Sequence, residues 1–231
     1  MIMKIKGLQK QTVLDYPSKL ACTVFTFGCN FRCGFCHNPE LVVDDGRPEV
    51  KQDDVIEFLK SRKDFLDGIC ITGGEPTLNE DLPEFISKIK EIGFLVKLDT
   101  NGTNPKMLEE LINKKLVDYI AMDIKAPLEF YDKITNVKVN KDDIQKSIDF
   151  IRKMKDYEFR TTVVPGLFNE EYARLIGKWL KGSDNFYIQQ FRSIKNLDKN
   201  FVGKKPFSKE ELINFCNILK PYFKKCEIRG L

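Results

Sequence analysis

Six times along this 231-residue chain, a short run of apolar and β-branched residues gives way to a segment whose apolar residues fall three and four apart. The runs occupy 20–27, 68–72, 94–100, 119–125, 159–164 and 186–190. Each ends on Gly, Pro, Asn or a charge, as short buried strands do. Between them Val55/Phe58/Leu59, Phe85/Ile86/Ile89, Leu108/Leu111/Ile112, Ile144/Ile148/Ile151 and Tyr172/Leu175/Ile176/Trp179 mark amphipathic helices. Strand and helix in alternation call for an α/β fold with a parallel sheet under helices, and right-handed crossovers make a partial or open barrel the natural outcome. A last helix over 209–219 and a short strand over 226–229 close what reads as one domain, residues 1–231. A chain of this length buries roughly 70% of its unfolded surface, so its core needs neither disulfide nor structural metal.

The distinctive residues gather at one place in this pattern. The runs are followed in turn by Gly28-Cys29, Gly73-Gly74-Glu75-Pro76, Asp99-Thr100-Asn101-Gly102, Asp123-Ile124-Lys125-Ala126-Pro127, Val164-Pro165-Gly166 and Gln189-Gln190-Phe191-Arg192. All lie at carboxyl ends of predicted strands, the rim where α/β folds bind ligands and carry chemistry. A single histidine, His37, excludes mechanisms that need two imidazoles. No run of about 18 apolar residues is present, so no membrane span is expected. The net charge of +4, with both signs mixed along the chain, argues against nucleic acid as a partner.

Seven cysteines is an odd number, and three crowd into Cys29-Asn30-Phe31-Arg32-Cys33-Gly34-Phe35-Cys36. A disulfide framework accounts for them poorly, and a reducing cytoplasm suits them better. Spaced x3 and x2 on one loop, the three thiolates can converge on one metal centre. Three thiolates leave one iron of an iron–sulfur cube open to a ligand, which separates a catalyst from an electron carrier. The other reading is a zinc site completed by His37 or a distant cysteine; adjacent Cys36 and His37 face one ion with difficulty, and there is no second CxxC pair. Cys22, Cys70, Cys216 and Cys226 read as structural, Cys22 and Cys70 as small buried hydrophobes on strands.

The CxxxCxxC loop with an aromatic before its last cysteine, followed by Gly73-Gly74-Glu75-Pro76, resembles the radical S-adenosylmethionine (SAM) enzymes. Asp15-Tyr16-Pro17, Phe27 to Cys33, and Cys36-His37-Asn38-Pro39-Glu40 look more narrowly like the activating enzymes of glycyl-radical proteins. These include the anaerobic ribonucleoside-triphosphate reductase activating proteins and the pyruvate formate-lyase activating enzymes. The resemblance implies a partial (β/α)6 radical SAM barrel. It also implies a [4Fe–4S] cluster on Cys29, Cys33 and Cys36 that chelates SAM, cleaves it reductively and releases a 5′-deoxyadenosyl radical. Gly73 and Gly74 would let the backbone approach the methionine part, with Glu75 and Pro76 fixing the turn; an ordinary strand-to-helix turn is the plainer account. Phe35 and His37 would lie near the adenine, although His37 can equally cap the loop. Lys125 and Arg160 match SAM-contacting positions or form rim ion pairs, and Thr162 contacts SAM through its backbone or belongs to the core. Asp99, Thr100, Asp123 and the carbonyl of Ala121 resemble a monovalent cation site beside the SAM carboxylate.

The resemblance further implies a glycyl-radical enzyme as partner, with anaerobic ribonucleotide reductase foremost, and flavodoxin or ferredoxin as electron donor. A pyruvate formate-lyase-type partner is an alternative, as is a small-molecule radical SAM enzyme like the carboxydeazaguanine synthases. An electron-transfer or zinc module without catalysis is a third reading, and it leaves Gly73-Gly74-Glu75, Asp99 and Lys125 unexplained. Arg192 stands where formate-lyase activators carry a histidine, so that role does not transfer. The segment 40–67 has no cysteine for a further cluster. Abundant Lys and Glu hint at a thermophilic source.

Overall fold

The computed structural model describes residues 2–230. In chain order its strands are β1 (Ile5–Thr12), β2 (Ala21–Thr26), β3 (Gly68–Gly73), β4 (Leu95–Thr100), β5 (Tyr119–Asp123), β6 (Tyr157–Val163), β7 (Asn185–Gln190) and β8 (Lys225–Arg229). Its helices are α1 (Gln52–Ser61), α2 (Leu82–Ile92), α3 (Pro105–Asn113), α4 (Tyr131–Thr135), α5 (Lys141–Ile151), α6 (Glu170–Trp179) and α7 (Lys209–Leu219). Sheet order follows chain order from β1 to β8. The expected α/β class with a mostly parallel sheet is therefore present.

The residues fall into two compact units. The first comprises 2–30, Glu40–Ala121 and Asp143–Asp156. In it β2, β3 and β4 run parallel, and β1 adds an antiparallel edge to β2. Val24, Ile69, Ile71, Val96 and Leu98 lie on one face of the central strands and are fully buried. The other face is buried as well, which explains the continuous apolar runs, but it carries a polar row, since Thr23 pairs with Cys70 and Cys70 with Lys97 across the three strands. α3 begins where Pro105 takes the first turn and the Asn104 side chain accepts the Met107 N–H.

The second unit comprises Phe31–Pro39, Met122–Asp142 and 157–230. Here β6, β7 and β8 run parallel. Asn169 caps α6 at Tyr172 N–H, and α7 opens on a reciprocal Ser208–Glu211 box. Two elements were not apparent in the sequence. β1 is an edge strand whose middle is exposed, so its Lys and Gln side chains break the apolar signal. α4 is only five residues long and stops at Asn136, which adopts a left-handed conformation. Two boundaries move by two residues, the others by one at most: β5 ends at Asp123 instead of 125, and β6 starts at Tyr157 instead of 159.

Candidate functional site

At the carboxyl end of the first unit's strands, the backbone is packed against itself. The N–H of Gly74 donates to Thr26 O at 2.9 Å, and the N–H of Glu75 donates to Gly28 O at 2.7 Å. A Cβ on Gly74 would lie 2.0 Å from Gly28 O, and one on Gly73 would lie 2.3 Å from Thr26 N. The glycine pair is therefore required by the chain's own backbone, whatever else approaches the turn.

Glu75 is the centre of this rim. Its carboxylate is 1% exposed. Oε1 accepts from Thr77 N at 3.1 Å, Thr77 Oγ1 at 2.6 Å and Thr100 Oγ1 at 2.8 Å, and Oε2 accepts from Asn101 N at 2.6 Å. Burial pushes its pKa up, against these hydrogen bonds. Asn101 extends the network: its Nδ2 donates to Asn30 Oδ1 at 2.9 Å, and Asn30 Nδ2 donates to Thr103 Oγ1 at 2.9 Å. Cys29 is thus flanked by two residues, Gly28 and Asn30, that are each tied to the ends of β3 or β4. Sequence reasoning assigned Asn30, Asn101 and Thr103 no role, although Asn30 and Asn101 sit inside the motifs.

Asp99 and Thr100, two of the four expected cation ligands, have other partners. Lys97, 1% exposed, hydrogen-bonds Asp99 Oδ1 and stands 3.7 Å from Cys70 Sγ. The Thr100 hydroxyl donates to Glu75 and accepts the Gly102 N–H at 3.1 Å. Ala121 is fully buried on β5. The i, i+2 spacing of Lys97 and Asp99 along one strand face is the signal that could have shown this pairing.

In the second unit, Cys33 is buried and Cys36 half-buried, and a turn joins them through Cys36 N–H to Cys33 O at 3.0 Å. Phe35 is buried and His37 exposed. At the end of β5, Asp123 Oδ1 accepts from Arg160 Nε at 2.7 Å, and Oδ2 lies 3.3 Å from Lys125 Nζ. Burial alone would raise the Asp123 pKa, but the two cations outweigh it and hold the carboxyl well below its usual range. The Lys125 N–H donates to the Tyr131 hydroxyl at 3.2 Å, and Tyr131 is fully buried. On β6, Thr162 is half-buried opposite Gln189. Two positions before Arg160, on the same strand face, the fully buried Glu158 receives both Arg229 nitrogens at 2.5 and 2.8 Å. Arg229 in turn lies over the Tyr187 ring at 3.5 Å. The alternation Tyr-Glu-Phe-Arg-Thr-Thr-Val in β6 carries this polar row, but its partner is 71 residues away.

The model of the radical SAM superfamily matches residues 23–177. A Methanocaldococcus jannaschii protein with the provisional name glycyl-radical enzyme activating enzyme is 37% identical over 98% of this chain and 96% of its own. The chain belongs to the radical SAM superfamily. A second M. jannaschii protein with the same provisional name is 31% identical over 80% of this chain and 71% of its own. Among solved structures, Streptococcus suis SuiB bound to S-adenosylmethionine superposes with a TM-score of 0.68 at 18% identity, over 87% of this chain. This chain spans about half the length of SuiB, covering 48% of it.

A radical SAM protein works with a [4Fe–4S] cluster and SAM, so this chain is an oxidoreductase-type enzyme with those cofactors. The donors present fit such a group: three cysteines stand on one short loop, and among the described residues no disulfide ties them up. Among the described residues no three His, Cys, Asp or Glu side chains stand gathered as a ready metal site, so the ligand assignment rests on donor type and loop spacing. Among the described residues no helix is long and apolar enough to cross a membrane.

Proposed function

We propose that this chain is an activase that generates a glycyl radical on a partner enzyme in the cytoplasm, and that the partner is the anaerobic ribonucleoside-triphosphate reductase. The observation that carries the reading is the likeness, nearly end to end, to a protein named as a glycyl-radical enzyme activating enzyme, joined to the Cys29-x3-Cys33-x2-Cys36 loop. Cys29, Cys33 and Cys36 are the proposed ligands of the [4Fe–4S] cluster, which supplies the electron that breaks the sulfonium carbon–sulfur bond of SAM. A pair of imidazoles has no place in such chemistry, in keeping with the single histidine.

The protein residues supply position and charge. Lys125 and Arg160 stand together at the Asp123 carboxylate, about a fifth exposed at Lys125 and an eighth at Arg160. Fixed cations of this kind suit the carboxylate of the methionine moiety. Gly73, Gly74 and Glu75 hold their own turn rigid, Phe35 and His37 take the adenine end, and Thr162 contributes its backbone. The monovalent cation that the resemblance implies on Asp99, Thr100, Ala121 and Asp123 is part of the proposal; it would compete with the Lys97 ammonium at Asp99 and with Lys125 and Arg160 at Asp123.

The test is anaerobic reconstitution with iron and sulfide, then reduction with and without SAM under electron paramagnetic resonance, and finally addition of the purified reductase. The expected result is a reduced-cluster signal whose shape changes with SAM, and a glycyl-radical signal that needs the reductase. A zinc-only protein would overturn the cofactor reading. Brisk deoxyadenosine formation with a small molecule and none with the reductase would overturn the activase.

A further inference from the structure

The loop 191–207, between β7 and α7, is strapped across the turn that carries the last two cysteines of the motif. Leu197 N–H donates to Cys36 O at 2.9 Å and Asp198 N–H to Gly34 O at 2.9 Å. The Asn196 side chain donates to Phe35 O at 2.9 Å and to Arg192 O at 3.1 Å. Every residue from Gly34 to Cys36 therefore gives its carbonyl to the strap. The Phe201 ring meets Phe35 edge-on at 6.4 Å between centroids, and a Cβ on Gly34 would lie 2.8 Å from that ring. Ser193 O accepts the Gly203 N–H at 2.8 Å and pins the strap's two ends together.

Charge is concentrated on this segment. Residues 192–205 hold Arg192, Lys195, Lys199, Lys204 and Lys205 against one acid, Asp198. The chain's whole net charge of +4 thus resides in 14 residues, and the rest of the chain is balanced. Asp198 is exposed, and its Oδ1 is engaged by the Asn200 N–H at 2.9 Å. Among the described residues, Arg192, Lys199 and Lys205 have no acidic partner within ion-pair distance, and all three are exposed. Between the charges stand two apolar side chains turned to solvent, Ile194 at 89% and Val202 at 47% exposed. A small apolar centre ringed by like charge has the anatomy of a protein interface, and its sign selects an acidic partner and speeds encounter with it.

We infer that the strap is the docking surface for a small acidic one-electron carrier protein that reduces the centre held at Cys33 and Cys36. This rests on the cluster assignment proposed above. The transfer moves one electron: the carrier is oxidised by one, the centre is reduced by one, and no atom or proton changes place. The hydrogen bond from Leu197 N–H to Cys36 O gives the strap a direct connection to a ligating residue. A transient carrier must also leave after each transfer, and a patch held mainly by charge with only two apolar side chains suits that requirement.

The experiment compares the reconstituted wild type with Lys199→Glu/Lys205→Glu, which takes the strap from +4 to zero, and with Ile194→Ser. The probe is recombinant flavodoxin: its oxidised form for binding by titration calorimetry, its hydroquinone form for cluster reduction by stopped flow, and dithionite as the control reductant. The double charge variant should bind flavodoxin about tenfold or more weakly at low ionic strength, and the difference should vanish near about 0.5 M salt. Dithionite should reduce both proteins at the same rate. Ile194→Ser should weaken binding at both salt concentrations. Equal flavodoxin affinity in wild type and charge variant, or no measurable binding to the wild type, would overturn the docking surface. A protein that binds flavodoxin through the strap but takes up no iron would leave the surface standing and overturn the cluster assignment instead. If the charge variant loses its hold on the reductase and not on flavodoxin, the strap serves the substrate protein and the inference fails.

Discussion

Replacing Glu75 by Gln exchanges one carboxylate oxygen for an NH2 group and leaves side-chain size nearly unchanged, yet the rim has no arrangement that accepts it. With the amide oxygen in the place of Oε1, the three donors from Thr77 and Thr100 are kept, but the NH2 group faces the Asn101 N–H across the 2.6 Å now spanned by a hydrogen bond. With the amide turned over, Asn101 is satisfied and the Thr77 N–H meets a donor instead. Either way one buried backbone N–H is left without an acceptor, at about 1–3 kcal/mol, and the bonds that remain lose their charge assistance, at about 1 kcal/mol more. We expect a loss of about 3 kcal/mol. For a chain of this size, with about 2–4 °C per kcal/mol, the melting temperature falls by about 6–12 °C. Differential scanning calorimetry on wild type and E75Q, with a urea titration showing a lower midpoint at unchanged slope, measures it. A fall of less than about 2 °C would refute the reasoning, since it would mean that the carboxylate's hydrogen bonds contribute nothing net.

Arg229→Ala leaves the fully buried Glu158 without its bidentate partner, and should destabilise by about 3–5 kcal/mol in urea titration, whereas a loss under about 1 kcal/mol would show Glu158 to be hydrated. Asp123 has a depressed folded pKa, so its contribution is present above the ordinary carboxylate range and is lost as the pH falls below about 4. The difference in urea midpoint between wild type and Asp123→Asn should accordingly hold steady from pH 7 to about 5 and shrink below about 4; a difference that grows with acidity would contradict the assignment. Cys33→Ala should abolish the visible absorbance of the reconstituted cluster while leaving the far-ultraviolet circular dichroism unchanged, and an unfolded chain would show that the metal supports the fold.

Much of the framework was legible because strands buried on both faces announce themselves as unbroken apolar runs. The helix over 209–219 and the strands at 68 and 186 lie where periodicity put them, within a residue at most. β1 escaped because an edge strand that faces solvent carries Lys and Gln, which read as loop. The rim was legible as a place, from where the runs end, but not as a network. That Glu75 reaches Thr100 and Asn101 is a fact of register between neighbouring strands, and nothing in Gly-Gly-Glu-Pro states it. A family pattern picked out Asp99 and Thr100, while Lys97, two residues upstream on the same strand face, supplies a positive charge from within the chain. The strap over the cysteine turn left no periodic trace, because its packing is made by backbone groups and two phenylalanines.

The Glu75 network has a kinetic meaning as well. The amides of Thr77 and Asn101 lie outside the strands, where loop protons ordinarily exchange with solvent quickly, but both are buried and bonded to a carboxylate that is itself sealed from water. They should exchange on the time scale of the strands and open only with the surrounding unit. A rim that is already as immobile as the sheet beneath it has little disorder left to surrender when a ligand arrives, and so returns most of the contact energy as affinity.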